Sequence, residues 1–116
     1  MLNIESLIAD SQLAFLNQQN ETALRLANQA IELDSKSPDA YKCAGNALMS
    51  LGRYDEAIKN YRMAVKYDPA NGNRYFDLGF ALATVADERN GYLAGVDVLC
   101  GGGSTNGMKE FKKKKK

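Results

Sequence analysis

The chain of 116 residues contains no histidine and no tryptophan. Without histidine it lacks the side chain that most often acts as a general base near neutral pH and the commonest metal ligand. No Ser-His-Asp or Cys-His arrangement can form within it. Cysteine is almost as scarce: Cys43 and Cys100 are the only two, too few for a four-cysteine zinc site or a disulfide framework, and consistent with free thiols in a reducing compartment. No stretch approaches 18 consecutive apolar residues, so no membrane-spanning helix is expected. The opening segment MLNIESLIADSQLAFL has no basic leader region and is interrupted by Glu5 and Asp10, unlike a secretory signal. Together these absences point to the cytoplasm.

What is present is ordinary globular composition, 45% hydrophobic and 25% charged, enough for one domain. The net charge of +1 conceals an asymmetry. Residues 109–116, KEFKKKKK, carry six Lys against Glu110; residues 1–108 hold nine basic and thirteen acidic side chains, a net of −4. A Lys run that follows a Gly-rich segment repels itself and stays solvated, so residues 100–116 are expected to be a disordered tail outside the fold, with contact to nucleic acid or anionic membrane confined to that tail. Gly101–Gly103 is not a phosphate loop, since no Gly-Lys-Ser/Thr follows. Asp55 and Glu56 read as helix-start carboxylates that face a helix dipole. Cys43 reads as a small core or groove filler, and nothing cationic flanks Cys100 to activate it.

Sliding the sequence by 34 residues brings like over like. Leu7, Tyr41 and Tyr75 fall in register, as do Ala14, Leu48 and Leu82; Ala23 matches Ala57, Ala30 matches Ala64, Gly45 matches Gly79, and Asp34-Ser35 lies over Asp68-Pro69. Within a unit the apolar spacing is helical: Tyr41, Ala44, Leu48 and Leu51 step by three and four until Gly52, and Ala57, Ile58, Tyr61, Ala64 and Val65 step likewise until Asp68-Pro69. Ser37-Pro38-Asp39 is a helix start, with a capping hydroxyl, a proline at the first helical position and a carboxylate on the dipole. Helices are expected near 4–17, 21–34, 38–51, 55–67 and 73–87, with a weaker one near 90–99. In the last of these Gly91 and Gly95 each cost about 1 kcal/mol of helix propensity. The alternatives there are a strand over 92–99 or a segment that docks on a partner.

Residues 38–71, PDAYKCAGNALMSLGRYDEAIKNYRMAVKYDPAN, resemble a tetratricopeptide repeat (TPR). The family pattern appears as Tyr41, Ala44-Gly45, Leu48, Ala57, Tyr61, Ala64 and Pro69. Residues 4–37 resemble a diverged copy, with Ser11 for the glycine, Ala27 for the large aromatic and Ser35 for the proline; residues 72–99 begin a third with Tyr75, Leu78-Gly79 and Leu82. The resemblance covers about 95 of the 116 residues. It implies an all-α superhelical array of antiparallel helix hairpins, two full repeats plus a partial third, over residues 1–99. Gly45 and Ala57 are small where two helices cross, and Tyr41, Leu48 and Tyr61 fill the space around them. About three hairpins are needed to bury the shared stripe.

The family binds partner segments in the concave groove lined by the first helix of each unit. Carried over by register, that groove holds Glu5, Ile8, Gln12 and Phe15, then Asp39, Lys42, Asn46 and Met49, then Asn73, Phe76, Phe80 and Ala83. The aromatic and aliphatic members supply apolar contact, and Gln12, Asn46 and Asn73 can bond an extended backbone. Phe76 and Phe80 face either the groove or a further unit. Lys42 and Asn46, one turn apart, can hold a carboxylate or carbonyl or be simply solvated. Members of the family that grip the C-terminal carboxylates of heat-shock chaperones use a Lys, Asn, Asn, Lys, Arg clamp. The matching residues here are Ile8, Gln12, Cys43, Asn73 and Asp77. None is identical, all three cations are missing, and Asp77 opposes the ligand's charge, so no carboxylate clamp is expected.

The function implied is a non-catalytic protein–protein interaction module, scaffold or adaptor that binds a peptide or domain in the groove, with no small-molecule substrate, no cofactor and no metal. The alternative is a targeting or structural segment of a larger enzyme or assembly, such as a glycosyltransferase. Oligomerisation stays open.

Overall fold

The computed structural model describes residues 3–99, and side chains through Glu88. The described residues form helices alone: α1 (Ile4–Leu16), α2 (Asn20–Leu33), α3 (Pro38–Ser50), α4 (Tyr54–Tyr67) and α5 (Gly72–Leu99). The first four start and stop within a residue or so of the sequence expectation. The Gly-rich and Lys-rich segment 100–116, with Cys100, lies outside the described residues. The described chain divides after Leu82 into two units; the packing and the site below belong to the first.

The helix starts follow from side chains with lone pairs. Asn3 Oδ1 accepts the Ser6 N–H at 2.7 Å, and Ser37 Oγ accepts the Ala40 N–H at 3.3 Å just ahead of Pro38. At the start of α4 no side chain caps the backbone, and Arg53 instead forks onto Glu56 through Nε at 2.9 Å and Nη2 at 2.8 Å. Both ends of that pair are about half exposed, so it adds little stability.

The two hairpin turns are copies of one another. Gln18 and Gly52, 34 residues apart, both take positive φ, 64° and 78°. Around them the same two backbone bonds close the helix end: Gln18 N–H to Phe15 O and Gln19 N–H to Ala14 O, then Gly52 N–H to Met49 O and Arg53 N–H to Leu48 O. This 6→1, 5→2 pair turns the chain through one left-handed residue and satisfies carbonyls the helix would leave open.

The third turn does not form. Residues 88–89 were expected to separate two helices, but α5 runs unbroken from Gly72 to Leu99. The register position of Gln18 and Gly52 is Ala86. Alanine is the best helix former; the helix continues through it, and Gly91 and Gly95 lie inside its span.

Packing in the first unit is hairpin on hairpin. α1 packs on α2, α2 on α3 and α3 on α4, and α1 also touches α3. The interfaces are made of alanine: Ala23, Ala27, Ala30, Ala40, Ala44, Ala47 and Ala57 are fully buried, which lets the helix backbones approach closely. Leu7, Tyr41, Leu48 and Tyr61 fill the remaining space. Gly45 is small for a specific reason: a Cβ placed there would lie 2.5 Å from Cε1 of Tyr61. The first repeat solves the same crossing with the sizes exchanged. Ala27 replaces the tyrosine, and Ser11 replaces the glycine, buried to 1% and donating its hydroxyl to Ala23 O at 2.7 Å. Cys43, Ala44 and Ile8 pack with Ala27. The α3–α5 junction is tied by Arg74, described next, and by Ala81, which packs with Leu48, Ala57 and Tyr61.

Candidate functional site

The first helices of the hairpins, α1 and α3, and the start of α5 carry the residues expected to line the groove. Three of these converge. Gln12, Phe15 and Asn46 rim a small dimple between α1 and α3, with Ser11 and Cys43 as its other lining residues. Gln12 is exposed, and Phe15 and Asn46 are half-buried. Phe15 gains its position by packing on Ala14, Ala23 and Ala47, so its ring is held by the fold.

Asn46 is fixed from below. The Tyr61 hydroxyl donates to its Oδ1, which leaves the amide NH2 as the free end. Tyr61 stays protonated because burial, then the nearby Asp77 carboxylate, then Cys43, push its pKa far above the ordinary phenol value. The donor role of its hydroxyl is therefore secure across the physiological range. Burial likewise raises the Cys43 thiol, with the Ser11 hydrogen bond acting in the opposite direction. That marks a packed, unreactive cysteine.

The other expected residues have more structural roles. Ile8 packs into the Leu7–Ala30–Ala40 and Ala27–Cys43–Ala44 clusters, and Met49 packs on the Leu48–Ala57–Tyr61–Ala81 cluster. Asp39 is bound to Arg74 Nη2 at 2.6 Å, while Arg74 Nε reaches Asp68 Oδ2 at 3.1 Å. Asn71 adds an amide bond to the same Asp68 oxygen at 3.0 Å. Burial alone would weaken the charge on Arg74; its bonds to Asp39 and then Asp68 outweigh this and hold it charged. Lys42 is half-buried, and Asn73 and Glu5 are exposed. Phe76 is 72% exposed and Phe80 61% exposed. Ala83 falls in the second unit, so it is not placed relative to the dimple.

Reasoning from the sequence missed Arg74 as the tie between α3, the α4–α5 loop and α5. A signal existed. A cation in the first turn of a helix opposes the dipole, so a buried arginine there needs carboxylates, and Asp68-x-x-Asn71-x-x-Arg74 offers one at helical spacing. Tyr61 as the orienting partner of Asn46 was also missed, because fifteen residues separate them.

Elsewhere, Glu21, Leu24, Arg25, Asn28, Gln29, Glu32 and Arg53 line an open cleft of about 570 Å³. Its charges are mixed and it lies on the second helices. Among the described residues no three His, Cys, Asp or Glu stand close enough to hold a metal, and no helix is long and apolar enough to cross a membrane.

Residues 45–85 match the family model described as TPR repeat, and residues 26–59 match one described as tetratricopeptide repeat. Over 53 residues, 46% of its length, the chain is 43% identical to "Small glutamine-rich tetratricopeptide repeat-containing protein 2" of Mycosarcoma maydis. It is also 43% identical over 53 residues to "Protein STIP1 homolog" of Dictyostelium discoideum. The matched stretch spans only 15% and 9% of those two proteins. Among solved structures, the Sgt2 TPR domain from Aspergillus fumigatus superposes with a TM-score of 0.69, covering 87% of this chain and 69% of that one at 22% identity. At that identity the likeness is one of fold.

Proposed function

The chain belongs to the tetratricopeptide-repeat family, and on that premise we propose that it is a protein-interaction module that takes an extended partner segment along the faces of α1, α3 and the start of α5. The observation that carries this reading is the convergence of Gln12, Phe15 and Asn46 around one dimple. An aromatic ring locked by the core offers apolar contact with little ordering cost. Beside it stand an exposed amide and an amide whose acceptor end is already taken, both able to bond a peptide carbonyl. Asn73 and Phe76 extend the same kind of surface onto α5, while Ile8, Met49 and Asp39 shape it from beneath. Its work is adaptor binding without chemistry, in the cytoplasm, and its ligand is not a chaperone carboxylate tail: Cys43 is nearly buried and uncharged, and Asp77 carries the wrong sign.

The test is selection of displayed ten-residue peptides on the purified chain. Binding of the selected peptides should fall at least about tenfold in Gln12→Ala/Phe76→Ala, both exposed positions, with helicity unchanged by circular dichroism. It should persist in Arg25→Ala/Glu32→Ala in the other cleft. Loss in the second variant and not the first would move the site to α2 and sink the reading.

A further inference from the structure

Among the described residues, Asp77 is a carboxylate with a buried oxygen that the fold leaves without a hydrogen-bond partner. It lies on α5 in the register of Cys43, partly buried, and its Oδ2 is shielded from solvent with no hydrogen-bond partner among the described residues. No described cation stands within ion-pair distance of it: Arg74, three residues earlier, is held by Asp39 and Asp68, and Arg53 by Glu56. Lys42, on α3, is half-buried, and the ion pairs among the described residues do not include it. By register Asp77 stands on α5 where Cys43, a lining residue of the dimple, stands on α3. The carboxylate acts electrostatically on the Tyr61 hydroxyl, that hydroxyl is bonded to Asn46, and Asn46 is on the dimple's rim.

We propose that the groove selects a partner segment bearing a Lys or Arg side chain, which pairs with Asp77. This rests on the peptide-binding reading above and specifies its ligand. A carboxylate with one oxygen cut off from water is poorly solvated, so a cation placed at its open side gains more than it would at a free surface. At that open side a charged donor forms a charge-assisted bond, stronger than one between neutral groups. The environment has the matching sign: residues 1–108 carry a net charge of −4.

The peptide selection is repeated with the full chain and with Asp77→Asn, which preserves shape and removes the charge. The expected result is a Lys or Arg at one fixed position of the selected peptides, and a loss of about ten- to a hundredfold when that residue is replaced by norleucine. In Asp77→Asn the same replacement should cost less than about threefold, with overall helicity intact. In Asp77→Arg, peptides with an acidic residue at that position should be selected instead. Selected peptides that bind the groove but are indifferent to a basic residue, or for which Asp77→Asn changes nothing, overturn this inference and leave peptide binding standing. Failure to select any peptide overturns both. Self-association that blocks the groove and persists in Asp77→Asn overturns it in favour of a second copy as the occupant.

Discussion

Gly45 and Gly79 are register equivalents in helices α3 and α5, and the same substitution should act on them with opposite signs. In Gly45→Ala the new Cβ meets Tyr61 Cε1 at 2.5 Å and Cδ1 and Cζ at 2.8 Å, closer than carbon atoms tolerate. The ring cannot simply swing away. Tyr61 is 4% exposed, packs with Leu48, Ala57 and Ala81, and is pinned by its hydroxyl to Asn46. Overpacking of this kind costs about 1–3 kcal/mol, and a ring shift that breaks the Asn46 bond adds about 1 kcal/mol. Against this, alanine recovers about 1 kcal/mol of helix propensity. The net expectation is destabilisation by about 1–3 kcal/mol. In Gly79→Ala a Cβ meets nothing within 4 Å among the described residues, so only the propensity gain remains, about 0.5–1 kcal/mol of stabilisation. Urea unfolding followed by helical circular dichroism measures both, with the slope checked for constancy. A Gly45→Ala midpoint at or above the parent's would refute the claim that Tyr61 is locked against a bare helix backbone.

Gln18→Gly should stabilise the chain by up to about 1 kcal/mol, since a glutamine holds a φ of 64° that costs a side-chain-bearing residue about that much; a fall in thermal midpoint would argue against the shared turn geometry. Arg74→Ala should cost about 2–3 kcal/mol by chemical denaturation, because it removes both bonds that join α5 to Asp39 and Asp68. Asp68→Asn should cost more than Asp39→Asn, the Asp39 side chain being 60% exposed against 32% for Asp68. Tyr61 has a folded pKa raised above its ordinary value of 10.0, so between the two values the unfolded chain has lost a proton that the folded chain keeps. Its contribution is therefore complete below pH 10 and declines as pH rises beyond it. Tyr61→Phe should lower stability at pH 8 and flatten the loss above pH 10 relative to the parent. A peptide ending in Glu-Glu-Val-Asp should show no saturable binding by calorimetry, and saturation would mean that the groove register is wrong.

Helices α1 to α4 were legible because their determinants are local: an apolar step of three and four throughout, a capping Ser37 before α3 and a proline past the end of α4. The pairing of Gly45 with Tyr61 was legible too, since a small residue recurring opposite a large one at a fixed interval implies a close crossing. Contacts that join residues far apart without a pattern were not. Asp39 and Arg74 are 35 residues apart, and nothing in the neighbourhood of Asp39 distinguishes a groove carboxylate from one already paired. For the same reason Asn46 read as a free amide, although Tyr61 occupies its acceptor.

The third hairpin shows which local signal governs. Gly91 and Gly95 suggested a weakened helix, and their combined cost is about 2 kcal/mol. A propensity cost spread along a helix does not by itself bend the chain back; a turn requires one residue that accepts the left-handed region at the register where the helix must end. Gln18 and Gly52 provide it in the first two units; Ala86 stands there in the third, and α5 runs on to Leu99. The Tyr75, Gly79 and Leu82 face, whose counterparts Tyr41, Gly45 and Leu48 are buried in the second repeat, accordingly keeps Tyr75 49% and Leu82 41% exposed. At the turn register the third unit thus carries the strongest helix former, and the two glycines that follow do not end the helix.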